Sequence, residues 1–101
     1  MDKRTALEIG KRFIKSLPAK YTIKQAFLFG SYAKETAHEY RDIDIALVLP
    51  KYSNAFDARV ARMKISRKID LRIEPHPIVE KEFNSLNPLA SEILKYGIAL
   101  I

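Results

Sequence analysis

Two aspartates set two residues apart, Asp42 and Asp44, stand at the head of the apolar run IDIALVL. Eleven residues before Asp42 lies Ser31, part of a Gly30-Ser31 pair that closes a second apolar run, Ala26-Phe27-Leu28-Phe29. If the run from Asp42 is a strand, its period of two puts both carboxylates on one face, with Ile43, Ile45, Leu47 and Leu49 on the other. Neighbouring carboxylates beside a core are costly unless a cation meets them, and a divalent metal ion is the obvious one. Gly30 lets a ligand approach the backbone closely. Ser31, at the start of a short helix, would cap it and leave N–H groups facing an anion. Lys34 is near enough in sequence to meet a phosphate, and equally well a solvated lysine. A metal site beside an anion cradle is the arrangement that phosphoryl or nucleotidyl transfer requires.

A third carboxylate has to come from elsewhere in the chain. Asp70, in KIDLRIE, is the first candidate, as a metal ligand and possible general base, provided its strand neighbours that of Asp42 and Asp44. Glu74 shares its face and is the alternative, and Arg72 offers Asp70 a plain salt bridge instead. His38 sits in a polar stretch and reads as a surface residue. His76, between Pro75 and Pro77, reads as structural with a minor catalytic role open. Tyr32 and Tyr40 either stack on a base or pack over the loop. With no cysteine and only these two histidines, the metal shell is expected to be oxygen, favouring Mg2+ or Mn2+ over zinc.

Stepping outward, the elements that must hold these residues are legible from periodicity. Ala6, Ile9, Gly10, Phe13 and Leu17 recur at helical spacing between Lys3 and Leu17, and Pro18 ends that helix. Residues 23–29 form a strand whose unbroken apolar end argues for a central place in the sheet. A short helix is expected from Ser31 to about Ala37, a strand over 42–49 stopped by Pro50, and a helix over 54–68. Ile69, Leu71 and Ile73 alternate with Asp70, Arg72 and Glu74, which predicts a strand over 69–74 ended by Pro75 and Pro77. Pro88 and Gly97 bracket a last helix, and 98–101 return as a short edge strand. The order predicts one α/β domain over 1–101: a small mixed sheet of three to four strands with flanking helices.

Composition narrows the function classes. At 101 residues with 48% hydrophobic and 30% charged residues, the balance is that of a soluble, cytoplasmic protein, and neither a signal peptide nor a membrane span is present. The net charge of +6 is carried by residues 1–34, where eight Lys or Arg face Asp2 and Glu8. That bias suits an anionic partner or a solvated basic helix face. Nucleic acid stays among the candidate partners, although no stacking motif of the RNA-recognition type is present.

The stretch GSYAKETAHEYRDIDIALV resembles the signature of the polymerase β-like nucleotidyltransferase superfamily: Gly-Ser, a short helix, then Asp-x-Asp at the start of a strand. The short chain is similar to the minimal nucleotidyltransferases of prokaryotes along nearly all its length. The resemblance implies the nucleotidyltransferase fold, with Gly30 and Ser31 binding a triphosphate, Asp42 and Asp44 as metal ligands and Asp70 as the third carboxylate. It also implies Mg2+ with ATP or another NTP, transfer of AMP to a hydroxyl of a partner macromolecule, and an antitoxin role beside a HEPN-domain protein. A catalytically weak fold that neutralises a partner by surface contact is the alternative. Two positions depart from the pattern, in which a glycine commonly stands at Glu35 and a serine often at Arg41.

Overall fold

The computed structural model describes residues 2–18, 21–35, 42–51 and 64–101. Chain order is α1 (Lys3–Ser16), β1 (Gln25–Phe29), β2 (Ile43–Leu49), a helical segment over residues 64–69 (α2), β3 (Ile73–Val79), a 3-10 turn at Glu80–Glu82, α3 (Pro88–Tyr96) and β4 (Ile98–Ala99). The four strands form one mixed sheet in the order β3-β2-β1-β4, antiparallel except for the parallel β2–β3 pair. This is the small mixed sheet with flanking helices that the sequence predicts, with β1 central.

Alternation along the strands divides the core. Ala26 and Leu28 of β1 and Ile43, Ile45 and Leu47 of β2 pack with Ala6 and Phe13 of α1 on one side of the sheet, joined by Ile65 and Ile69 of α2. Phe29, Ala46 and Val48 face the other side, where Ala90 and Ile93 of α3 cover them. Ile43, Ile45 and Leu47 are fully buried, each stabilising the fold by about 1.5–3 kcal/mol.

Helix ends follow local chemistry. The Asp2 carboxylate accepts the Thr5 N–H at 2.9 Å to start α1, and Leu17, pushed to extended geometry before Pro18, ends it. Asn87 caps α3 by accepting from Leu89 and Ala90, ahead of Pro88 in the first turn. Gly97 closes α3 at an ordinary φ of −65°. Its role there is space, since a Cβ would collide with the Ile93 carbonyl. Among the described residues no helix is long and apolar enough to cross a membrane.

One predicted strand is corrected. Residues 64–69 are helical, and β3 begins at Ile73 and runs through both prolines. Asp70 ends α2: its N–H donates to the Ser66 carbonyl, and its carboxylate accepts the Arg72 N–H at 2.8 Å in an Asx turn. The alternation of Ile69, Leu71 and Ile73 therefore spans a helix end, a turn and a strand start, and Leu71 is 82% exposed. Pro75 and Pro77 are tolerated because β3 is an edge strand. The Ile43 N–H donates to the Arg72 carbonyl in a parallel register pairing Ile43 with Ile73. That register turns the backbone of Glu74, His76 and Ile78 toward β2 and leaves the two prolines on the outer edge, where no donor is needed.

Candidate active site

Register builds the site. Phe29 of β1 pairs with Asp44 of β2, and Asp44 with Glu74 of β3, so the three side chains stand in a row across neighbouring strands, on the α3 face. His76 follows two residues along β3 on the same face. Its Nε2 lies 3.0 Å from Asp44 Oδ1, and its ring meets Phe29 edge-on at 5.0 Å between centroids. Asp42, just ahead of β2, is exposed and hydrogen-bonds the Glu74 carboxyl.

Asp44, Glu74 and His76 each offer one ligand atom, all within 4.8 Å of one another, in a half-buried position. That hydrogen bond with Asp42 is the largest cause raising the Glu74 pKa above the ordinary carboxylate value. Burial and the negative charges of Asp42 and Asp44 add to it, and His76 opposes it. A cation placed among these groups would remove the repulsion that lifts Glu74. The carboxylates are the hard oxygen donors suited to Mg2+ or Mn2+, so the residues present fit such an ion. The expected all-oxygen shell also has a nitrogen beside it. With its proton on Nε2, His76 donates to Asp44 and orients it; with the proton on Nδ1, the Nε2 lone pair becomes a ligand.

Gly30 adjoins the same carboxylate. Its φ of +75° lies in the left-handed region, and a Cβ there would collide with Asp44 Oδ2. The turn after β1 is therefore in van der Waals contact with the aspartate. Ser31 is half-buried in that turn. In place of the predicted helix from Ser31 to Ala37, residues 31–35 form hydrogen-bonded turns, with Lys34 N–H donating to the Gly30 carbonyl and Glu35 N–H to that of Tyr32. Ala37, His38, Tyr40 and Arg41 lie outside the described residues, as do residues 54–63 of the predicted third helix. Tyr32 is buried in the core beside α1, so its ring packs and is not available to stack on a base.

Lys34 and Asp70 are engaged elsewhere. Lys34 Nζ meets Glu92 Oε1 of α3 at 2.7 Å and lies over the Tyr96 ring; the Glu92 hydrogen bond raises its pKa. Asp70 holds Arg72 by three contacts, accepting from its backbone N–H, from Nε at 3.0 Å and from Nη2 at 2.8 Å. The Arg72 hydrogen bonds push the Asp70 pKa down despite its burial. Of the carboxylates weighed from the sequence, the group at Asp44 includes Glu74 and neither Asp42, which stands just outside it, nor Asp70. His76 joined it unforeseen. The signal was present in Glu-Pro-His-Pro, since prolines at every second position suit an edge strand that keeps Glu74 and His76 on one face.

Residues 11–100 match the family model of the nucleotidyltransferase domain. The chain belongs to the nucleotidyltransferase domain family. Solved structures agree on the fold. A Sulfolobus solfataricus protein described as a nucleotidyltransferase is 22% identical, with a TM-score of 0.66 over 96% of this chain and 80% of that one. A toxin–antitoxin complex with AMP-PNP matches at 20% identity and TM-score 0.61, covering all of this chain and 73% of that one. A tri-AMPylated Shewanella oneidensis HEPN toxin in complex with an MNT antitoxin matches at 20% and 0.59, over 94% and 71%. No curated protein matches the chain. The nucleotidyltransferase domain thus carries the superfamily resemblance read from Gly30-Ser31 and Asp42-x-Asp44, and its structural neighbours include the antitoxin-like minimal group.

Proposed function

We propose that this nucleotidyltransferase domain transfers AMP from Mg-ATP to a hydroxyl of a protein partner of the HEPN class, the hydroxyl oxygen bonding to the α-phosphorus as pyrophosphate leaves, and so serves as its antitoxin. The observation that carries the reading is the contact of the Gly30 backbone with the Asp44 carboxylate, which itself lies within ligand distance of Glu74 and His76. Phosphates resting on the Gly30-Ser31 turn would then lie beside the metal ligands. In this reading Asp42, Asp44 and Glu74 hold the ion, Glu74 taking the third carboxylate position expected of Asp70. His76 orients Asp44. A bound divalent ion supplies charge neutralisation on the phosphates and makes the acceptor hydroxyl easier to ionise. Gly30 contributes the absence of a side chain, so that the triphosphate reaches the backbone; Phe29 and the half-buried setting limit water around the carboxylates. The neighbouring structures with AMP-PNP and with an AMPylated HEPN toxin support the choice of adenylate and of partner.

The engagement of Lys34 by Glu92 favours a second reading, in which the fold neutralises its partner by contact with little transfer. One experiment separates the two. The domain is co-expressed with a HEPN partner and given α-labelled ATP, and label appears on the partner. The Asp42→Asn/Asp44→Asn variant loses the label and the protection of the cell together. Protection without label transfer would replace the first reading by the second.

A further inference from the structure

The side of the sheet away from the carboxylates is lined by two helices that share one core and one charge. α1 and α2 both pack on the sheet face made by Leu28, Ile43 and Ile45. Their outer surfaces present Lys11, Arg12, Lys15, Lys64, Arg67 and Lys68, all exposed. Among the described residues the nearby acids are already used: Glu8 pairs with Arg4, Asp2 caps α1 and Asp70 holds Arg72. Among the described residues, none of these six cations has a carboxylate within ion-pair distance. Lys11 and Lys15 follow one another on one side of α1 about 6 Å apart along its axis, as Lys64 and Lys68 do on α2. Ile9 and Phe13 of α1 and Ile65 and Ile69 of α2 belong to one core cluster, so the two rows are neighbours.

We propose that this face is a docking surface for the phosphate backbone of a nucleic-acid duplex, separate from the carboxylate site. Charge complementarity selects a polyanion, and three features of the face select the duplex. A protein partner would need apolar or aromatic anchors at the centre of the contact. Yet Leu71, Leu86, Leu94, Tyr96 and Ile101, the large exposed apolar residues among those described, all lie off the two helices. A single strand would need aromatic side chains on which bases stack, and among the described residues α1 and α2 expose none. What remains, cations in rows on a rigid helical surface, fits the sequence-independent contacts that proteins make with duplex phosphates. The sheet lies between this face and Asp44, so a duplex bound here leaves the carboxylates free.

The test is fluorescence anisotropy of the full chain with a labelled duplex RNA of about 20 base pairs, the DNA duplex of the same sequence, and the single strand alone. Either duplex is expected to bind more tightly than the single strand, the comparison of RNA with DNA naming the source. The logarithm of affinity should fall with that of salt concentration by about 0.9 per phosphate neutralised. Lys11→Gln/Lys15→Gln/Lys68→Gln should weaken duplex binding about tenfold or more and flatten the salt slope. Lys51→Gln/Lys81→Gln/Lys95→Gln removes the same charge outside the two helices and should have a much smaller effect. Equal losses from the two triple variants, no loss from the first, or a single strand that binds as tightly as the duplex would overturn the assignment. Thermal melting of both variants checks that they fold, and the failure of AMP transfer would leave this result untouched.

Discussion

Asp44 and Asp70 are aspartates of similar burial, with side chains 24% and 17% exposed, and their surroundings are opposite. Asp70 has its own cation: Arg72 answers it with a fork of two side-chain N–H groups and a backbone N–H, all within two residues along the chain. Asp44 has further acids around it, Glu74 across the ladder and Asp42 two residues back, and among the described residues the imidazole of His76 is in reach. A carboxylate that the fold satisfies is a structural part. One that the fold surrounds with like charge is held at a cost that a bound ion removes.

The largest expected difference between the two is in activity. Asp44→Asn should lower label transfer by more than about a hundredfold, beyond the loss typical of residues that only orient a ligand, while Asp70→Asn leaves transfer within a few-fold. Loss of transfer in Asp70→Asn with its melting temperature unchanged would reverse the comparison and restore Asp70 as the third ligand. Gly30→Ala comes next. A left-handed φ costs a non-glycine residue about 1–2 kcal/mol, and the new methyl displaces the Asp44 carboxylate, so both the melting temperature and Mg-dependent stabilisation should fall.

Asp70→Asn should cost about 1 kcal/mol of stability at neutral pH, the half-exposed Arg72 being partly screened by water. Because the folded pKa of Asp70 lies below its unfolded value, this contribution is complete above about pH 4 and disappears as pH falls through the folded pKa. Urea unfolding of wild type and variant should therefore converge in acid. Glu74 has the opposite sign. Its folded pKa is raised, so the ionised form weakens the metal-free fold at neutral pH, and stability is regained as pH falls through that pKa. Glu74→Gln should raise the metal-free melting temperature slightly while abolishing the rise that Mg2+ or Mn2+ produces, both read by thermal shift. The smallest effect belongs to Glu35→Gly. Glu35 has φ +60°, and its 3.8 Å contact with Lys3 is exposed and weak, so glycine should stabilise by a few tenths to about 1 kcal/mol in denaturant titration.

Glu35 shows what a sequence reading reaches and where it stops. The glycine expected there by resemblance corresponds to a backbone that is left-handed in this chain, so the departure is strain in a turn, and its side chain points to α1. β2 is readable because Ile43, Ile45 and Leu47 alternate with Asp44 and Ala46 in an otherwise apolar run stopped by Pro50, and α3 because Pro88 and Gly97 mark its ends. The Asp70–Arg72 pair was open to view, being two residues long. The Asp44–His76 and Lys34–Glu92 pairs were not, since each joins residues brought together only by sheet register or by a helix docking on the sheet. Prolines ordinarily end strands, so the sequence points to a strand before Pro75; the position of β3 at the sheet edge removes that penalty.

Those prolines have an effect beyond their own strand. An edge strand usually offers a ladder of donors on which another chain can polymerise, but at Pro75 and Pro77 the outer rim of β3 has lost two of its rungs. Lateral growth of the sheet, whether into a swapped dimer or an aggregate, is blocked along the margin where Glu74 and His76 stand. Glu74 can thus sit on the border strand and Asp44 one strand in, close to incoming solutes, without that border becoming adhesive.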